Sequence, residues 1–165
     1  MFPSKRFTMT TYLSPEEVLK KLSEVVTPTS NPIQFRWRRS KKPYQGQIAE
    51  HSFKISRVIY NRNSFLPEIE GQIQAHGRGS QIKIEIKLHP FVIIFMSLWL
   101  IMLAVVALMI LGEALFKEIF NLAFLIPMGM LILGLALPRI AFFPEAKKSQ
   151  KFLLELFQGQ EENSI

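Results

Sequence analysis

The chain has 165 residues, of which 48% are apolar and 20% charged, with a formal net charge of +7 and no cysteine. That length supports roughly one domain, and the lack of cysteine excludes a disulfide-stapled secreted scaffold. The apolar residues are concentrated rather than spread, which excludes a disordered chain and a fully water-soluble enzyme.

The first predicted element is a strand over residues 5–12, where Phe7, Met9 and Thr11 alternate with Arg6, Thr8 and Thr10. A helix follows over 14–26. Ser14 is placed to cap it, Pro15 suits the first helical position, and Glu17 completes an S-x-x-E capping box. Val18, Leu19, Leu22, Val25 and Val26 fall on one stripe, and Pro28 ends the pattern.

From residue 32 the period changes to two. Ile33, Phe35 and Trp37 alternate with Gln34, Arg36 and Arg38. Residues 44–50 and 53–60 read as a hairpin around His51 and Ser52, with Phe53, Ile55 and Ile59 on one side. Ile69, Gly71, Ile73 and Ala75 then alternate with Glu70, Gln72, Gln74 and His76, and Gly77-Arg78-Gly79 marks a tight turn. The return strand sets Ile82, Ile84, Ile86 and Leu88 against Lys83, Glu85 and Lys87. Together these predict an antiparallel sheet with one apolar and one polar face.

Two long apolar runs come next. Between residues 91 and 111 only Ser97 is clearly polar, and 119–137 is interrupted by Asn121, Pro127, Gly129 and Gly134. As helices they would be about 31 Å and about 28 Å long, near the ~30 Å hydrocarbon core of a bilayer. The first run opens well inside the chain with no small-residue cleavage pattern after it, so it reads as a span and not as a leader. A loop at 112–118 joins the two into a tight hairpin. Pro127 is expected to kink the second helix, with Gly129 and Gly134 allowing close approach to Ala104 and Ala107. Trp99, nearer the middle of the first run than its end, reads as a packing or lipid-facing residue rather than an interfacial anchor. Neither run contains an acidic or basic residue or a histidine, which argues against a transport path through a single copy.

Residues 1–89 hold eight Lys and seven Arg against seven Glu, and Arg139, Lys147, Lys148 and Lys151 follow the second run. The connecting loop is acidic on balance. Positive charge at both outer ends predicts two cytoplasmic termini, in a bacterial inner membrane or, in a photosynthetic host, a thylakoid. The tail at 144–158 has Phe152, Leu153, Leu156 and Phe157 on one helical side, suited to cover the apolar sheet face or to lie on the bilayer. The expected fold class is an α+β membrane protein: an antiparallel β-sheet with N-terminal and C-terminal helices, plus a two-helix transmembrane hairpin. Its parts are a strand-helix-sheet unit at 1–89, the hairpin at 90–138, and a tail helix at 139–165 packing back on the sheet.

This element order resembles the helix-grip arrangement of START-like lipid-transfer and polyketide-cyclase proteins, with the hairpin inserted before the last helix. A bacterial pleckstrin-homology-like domain fits less well, because a helix comes between its first two strands. The segment from Tyr60 through Asn61, Arg62, Asn63, Ser64, Phe65 and Leu66 to Pro67, with Leu88-His89-Pro90-Phe91, is similar to one in uncharacterised small bacterial two-span membrane proteins. That likeness covers roughly residues 44–96 and implies no activity.

Candidate chemistry is sparse. His51, His76 and His89 lack metal-ligand spacing, and all thirteen acidic residues are Glu. Glu68 and Glu70 share the sheet face that alternation makes the solvated one. No phosphate loop, nucleophile elbow or dinucleotide fingerprint occurs, so no enzyme activity and no cofactor are expected. The densest polar feature is the basic run of Arg36, Trp37, Arg38, Arg39, Lys41 and Lys42, with Arg62 nearby. Anionic lipid headgroups or a protein partner suit it if the domain sits beside a bilayer. Nucleic acid is the poorer match, and an ordinary strand with solvated charges remains the plain alternative. The function expected is a non-catalytic membrane-anchored module that binds or assists assembly of a larger membrane protein complex, with other membrane subunits as partners. The alternative is a tethered domain for a lipid or apolar ligand, held between sheet and tail helix.

Overall fold

A computed structural model describes residues 2–29, 42–58, 65–117 and 124–162. The expected strand from residue 32, Ile59 and residues 119–123 of the second run lie outside them. In chain order the elements are β1 (Ser4–Thr11), α1 (Pro15–Val25), β2 (Val26–Pro28), β3 (Tyr44–Ile48), β4 (Ser52–Arg57), β5 (Pro67–His76), β6 (Gly79–Leu88), α2 (Pro90–Lys117), α3 (Leu125–Phe157) and β7 (Gln160–Glu162). The strands form one sheet in the order β2-β3-β4-β5-β6-β1-β7.

Local chemistry sets the elements. The α1 capping box forms: the Glu17 N–H donates to Ser14 Oγ, and the Ser14 N–H donates to the Glu17 carboxylate at 2.8 Å. Val18 and Leu22 then face inward and are fully buried. β5 and β6 are joined by the two-residue loop Gly77-Arg78, with His76 opposite Gly79. Gly77 has φ 58°, and glycine adopts that conformation without steric cost at the first loop position. This turn fixes the register of the whole hairpin, placing Ile73 opposite Ile82 and Ile69 opposite Ile86. The chain reversal also aligns β6 with β1, Phe7 opposite Ile84 and Met9 opposite Ile82.

One sheet face is therefore mostly apolar, with Lys5, Thr11 and Arg57 toward its margins, and two helices cover it. Phe7, Met9, Ile55, Ile69, Ile82, Ile86 and Leu88 pack with Val18 and Leu22 of α1 and with Phe142, Ala146, Leu153 and Phe157 of α3. Fully burying each large apolar side chain is worth roughly 1.5–3 kcal/mol, so α3 is firmly held to the sheet. Polar links add to this. Thr11 Oγ1 donates to the Phe157 carbonyl at 2.6 Å, Lys21 to that of Leu156 at 3.2 Å, and Tyr44 stacks on Phe152 with centroids 4.8 Å apart. Gln158, at φ 50°, ends α3 with its N–H on the Glu155 and Leu154 carbonyls, and the chain turns into β7.

The rest of α3 and all of α2 are different in kind. Apart from Tyr12, every large exposed hydrophobic among the described residues lies on α2 or on α3 as far as Phe143. Both helices are long and apolar enough to cross a membrane. They pack on each other through Met96, Leu103 and Ala107 of α2, each nearly buried, and through Gly134 of α3. A Cβ at Gly134 would come within 2.6 Å of the Trp99 ring, so the glycine is what lets Trp99 seat.

The arrangement departs from the expected one in several ways. The sheet is mixed, because β2 pairs with β3 in parallel. No helix stands at either end of the chain order: β1 precedes α1 and β7 follows α3. From Leu125 the second apolar run continues into the tail as one 33-residue helix to Phe157, about 50 Å long, rather than a span and a separate tail. Pro138 and Pro144 lie inside it, where the sequence suggested a break. The connection begins later than expected, since α2 continues through Gly112 to Lys117. Pro127 is the third residue of α3, in the first turn, where a missing N–H costs no helical bond and gives no cause for the expected kink. Gly134 makes the close approach, while Gly129 faces open space.

Candidate functional site

The second sheet face carries the polar residues of the same strands. Across its width run Arg6 on β1, Glu85 on β6, Glu70 on β5, Lys54 on β4 and Gln47 on β3, each opposite the next in register. These residues, with Lys83, line a groove of about 930 Å³. Its wall reaches from β1 round to Pro28 and Thr29 past the end of β2, so the sheet curves about it. The groove lies on the face opposite α1 and α3, not between sheet and tail as the apolar-ligand alternative placed its cavity.

Its charges form one chain of opposite signs. Arg6 pairs with Glu85 at 2.7 Å, and Lys87 bridges Glu85 and Glu70. Lys54 then joins Glu70 at 3.1 Å to Glu68 at 3.2 Å, and Glu68 faces His89 at 3.7 Å. Burial alone would raise the Glu70 carboxyl, but its bonds to Lys87 and Lys54 outweigh that and hold it below its ordinary value. Burial likewise works to lower the Lys54 ammonium, and its bonds to Glu70 and Glu68 carry it above the usual lysine range instead. Both groups thus stay charged around neutrality.

Glu68 is a correction to the alternation argument. It lies on the polar face but is only 7% exposed, because Lys54 and His89 cover it where the strands meet α2. His89 itself immediately precedes α2. Its Nδ1 accepts the Phe91 N–H at 3.1 Å and its carbonyl accepts from Val92 at 2.9 Å, with Pro90 as first helical residue. An imidazole accepting at Nδ1 carries its proton at Nε2, on the side of Glu68. One residue therefore ties the charged face to the first apolar helix.

Of the basic residues singled out in the sequence, Arg36, Trp37, Arg38, Arg39, Lys41 and Arg62 lie outside the described residues. Lys42 is placed at the end of α1, where its ammonium donates to the carbonyls of Ser23 and Val26, and it serves there as a helix cap. His51 is exposed at the bend between β3 and β4, and His76 is exposed as the last residue of β5. Among the described residues no group of three or more His, Cys, Asp or Glu gathers to hold a metal.

The charge chain was missed, although a signal for it exists. A two-residue loop at Gly77-Arg78 fixes which residues of β5 and β6 are opposite, and that puts Glu70 against Glu85 and Glu68 against Lys87. No family model, no curated protein and no solved structure gives a significant match to this chain.

Proposed function

We propose that the protein is a non-catalytic membrane-anchored module that binds, or assists the assembly of, a larger membrane protein complex. In this reading α2 and α3 cross the bilayer as a hairpin, both termini lie in the cytoplasm, and a partner docks in the charged groove. The observation that carries it is the continuity of α3. Its first half is apolar and outward-facing, and its second half is locked into the sheet core. A single helix thus holds the groove at fixed height and orientation above the lipid. Such geometry is of use to a receptor for another membrane-bound subunit.

The bacterial inner membrane is the compartment proposed, with a thylakoid for a photosynthetic host. A lipid or apolar-ligand role in the sheet core is less favoured, because the space between sheet and α3 is filled by Phe7, Phe142, Leu153 and Phe157.

Crosslinking mass spectrometry on a tagged copy at native expression tests the proposal. Reproducible crosslinks from Lys83 and Lys54 to one membrane protein are expected. The paired change Gln72→Trp and Gln47→Glu, on two exposed groove residues and with both lysines kept, should abolish them while leaving the circular dichroism unchanged. Recovery of the chain alone, or crosslinks indifferent to these changes, contradicts it.

A further inference from the structure

A second, smaller cleft lies between the two apolar helices. It encloses about 290 Å³ and is lined by Ser97, Leu100 and Ile101 of α2, Gly134, Leu135 and Pro138 of α3, Arg139, and a roof of Phe2 and Pro3. Trp99 and Leu100 close on Gly134 on its inner side, and Pro138 and Arg139 follow one turn further along α3.

Arg139 stands at its mouth in an unusual setting for a cation. Further along α3, toward the sheet, come Ile140 at 69% exposure and Phe143 at 51%, and on the near side Leu137 is 47% exposed. Phe143 is four residues on, about 6 Å along the axis. A positive charge thus sits about one turn inside the apolar belt. Its Nη1 donates to the carbonyl of Leu135, another lining residue, at 2.8 Å, which keeps the exposed guanidinium at the cleft mouth. An exposed cation at the rim of a hydrocarbon slot, with exposed apolar side chains on both sides of it along the helix, is complementary to a molecule with a negative head and an apolar tail.

We infer that this cleft holds one acyl chain of a glycerophospholipid whose anionic headgroup sits at Arg139. The site is distinct from the groove and needs no protein partner; it rests only on the reading that α2 and α3 cross a bilayer. Ser97 offers a hydroxyl beside the headgroup, and Leu100, Ile101 and Leu135 line the path of the chain. The bound lipid would fill the notch between hairpin and sheet.

Native mass spectrometry of the full chain in mild detergent, delipidated and then given phosphatidylglycerol or phosphatidylcholine with identical acyl chains, tests this. One phosphatidylglycerol is expected to be retained, about fivefold over phosphatidylcholine. Arg139→Gln should remove that preference. Ile101→Trp, which plugs the slot and leaves the charge, should lower retention of phosphatidylglycerol itself, whereas Lys148→Gln, outside the cleft, should change nothing. Equal retention of the two lipids, indifference to either cleft variant, or a dimer that excludes lipid overturns the inference. Failure of the membrane reading would show separately, as a chain that stays monodisperse without any amphiphile.

Discussion

Arg57 Nη1 on β4 and Glu145 Oε2 on α3 lie 2.8 Å apart, at the level where α3 passes from its outward-facing apolar half to its sheet-bound half. Glu145 also takes Lys148 at 2.9 Å, so one carboxylate fastens the helix to the sheet and to its own next turn. Burial by itself would raise the Glu145 carboxyl, and its bonds to Lys148 and Arg57 more than reverse that and lower it.

A carboxyl lowered in the folded state contributes stability above its unfolded value, and that contribution is lost as pH falls through the folded value. Glu145→Gln is therefore expected to cost about 1–2 kcal/mol near neutrality. The difference from the parent chain should shrink as pH drops below the ordinary carboxylate range. Denaturant unfolding in micelles, followed by near-ultraviolet circular dichroism at several pH values, reads both.

Glu70 and Glu85 face each other directly across β5 and β6, an arrangement that repels unless a cation stands between them. Lys87 is that cation. Lys87→Met is expected to destabilise by about 1–2 kcal/mol, more than the ~0–1 kcal/mol of an isolated surface pair, because it leaves two facing carboxylates. Adding Glu85→Gln should restore most of the loss. A double-mutant cycle on unfolding free energies tests this, and additive losses would show that the facing pair is not what Lys87 offsets.

At His89 the side chain acts as an acceptor for the first turn of α2. His89→Asn keeps an acceptor there and should be tolerated, whereas His89→Ala should cost about 1 kcal/mol, as for other lost N-caps. Hydrogen exchange at the amides of Phe91 and Val92 would localise the effect: faster in the alanine variant, near parent rates in the asparagine variant.

Much of the fold could be read from residue order because local and global signals agree. The capping box at Ser14 and Glu17, the alternation of Ile82, Ile84, Ile86 and Leu88, and the glycine turn at Gly77 each act over a few residues. The long apolar runs needed only their composition. What was not legible depends on packing across the chain. Nothing near residue 138 announces that α3 runs on through two prolines, since a proline inside a helix normally argues for a break. The exposed 160–162 segment pairs with β1 only because Gln158 turns the chain back at the end of α3. Two-fold alternation assigned Glu68 to solvent, yet Lys54 and His89 from other elements bury it. The charge chain in the groove needed register, which the turn supplied but periodicity alone did not.

The central claim is that α2 and α3 form a membrane hairpin with the sheet on the cytoplasmic side. The chain has no cysteine, so single cysteines can be placed without background. Arg78→Cys at the far tip of the sheet, Gln160→Cys on exposed β7 and Lys117→Cys at the end of α2 would be labelled in sealed cells with a membrane-impermeant maleimide. The account predicts labelling of Lys117→Cys alone in intact cells and of all three after permeabilisation. Labelling of Arg78→Cys or Gln160→Cys from outside, or full recovery of the chain in the soluble fraction, would contradict it.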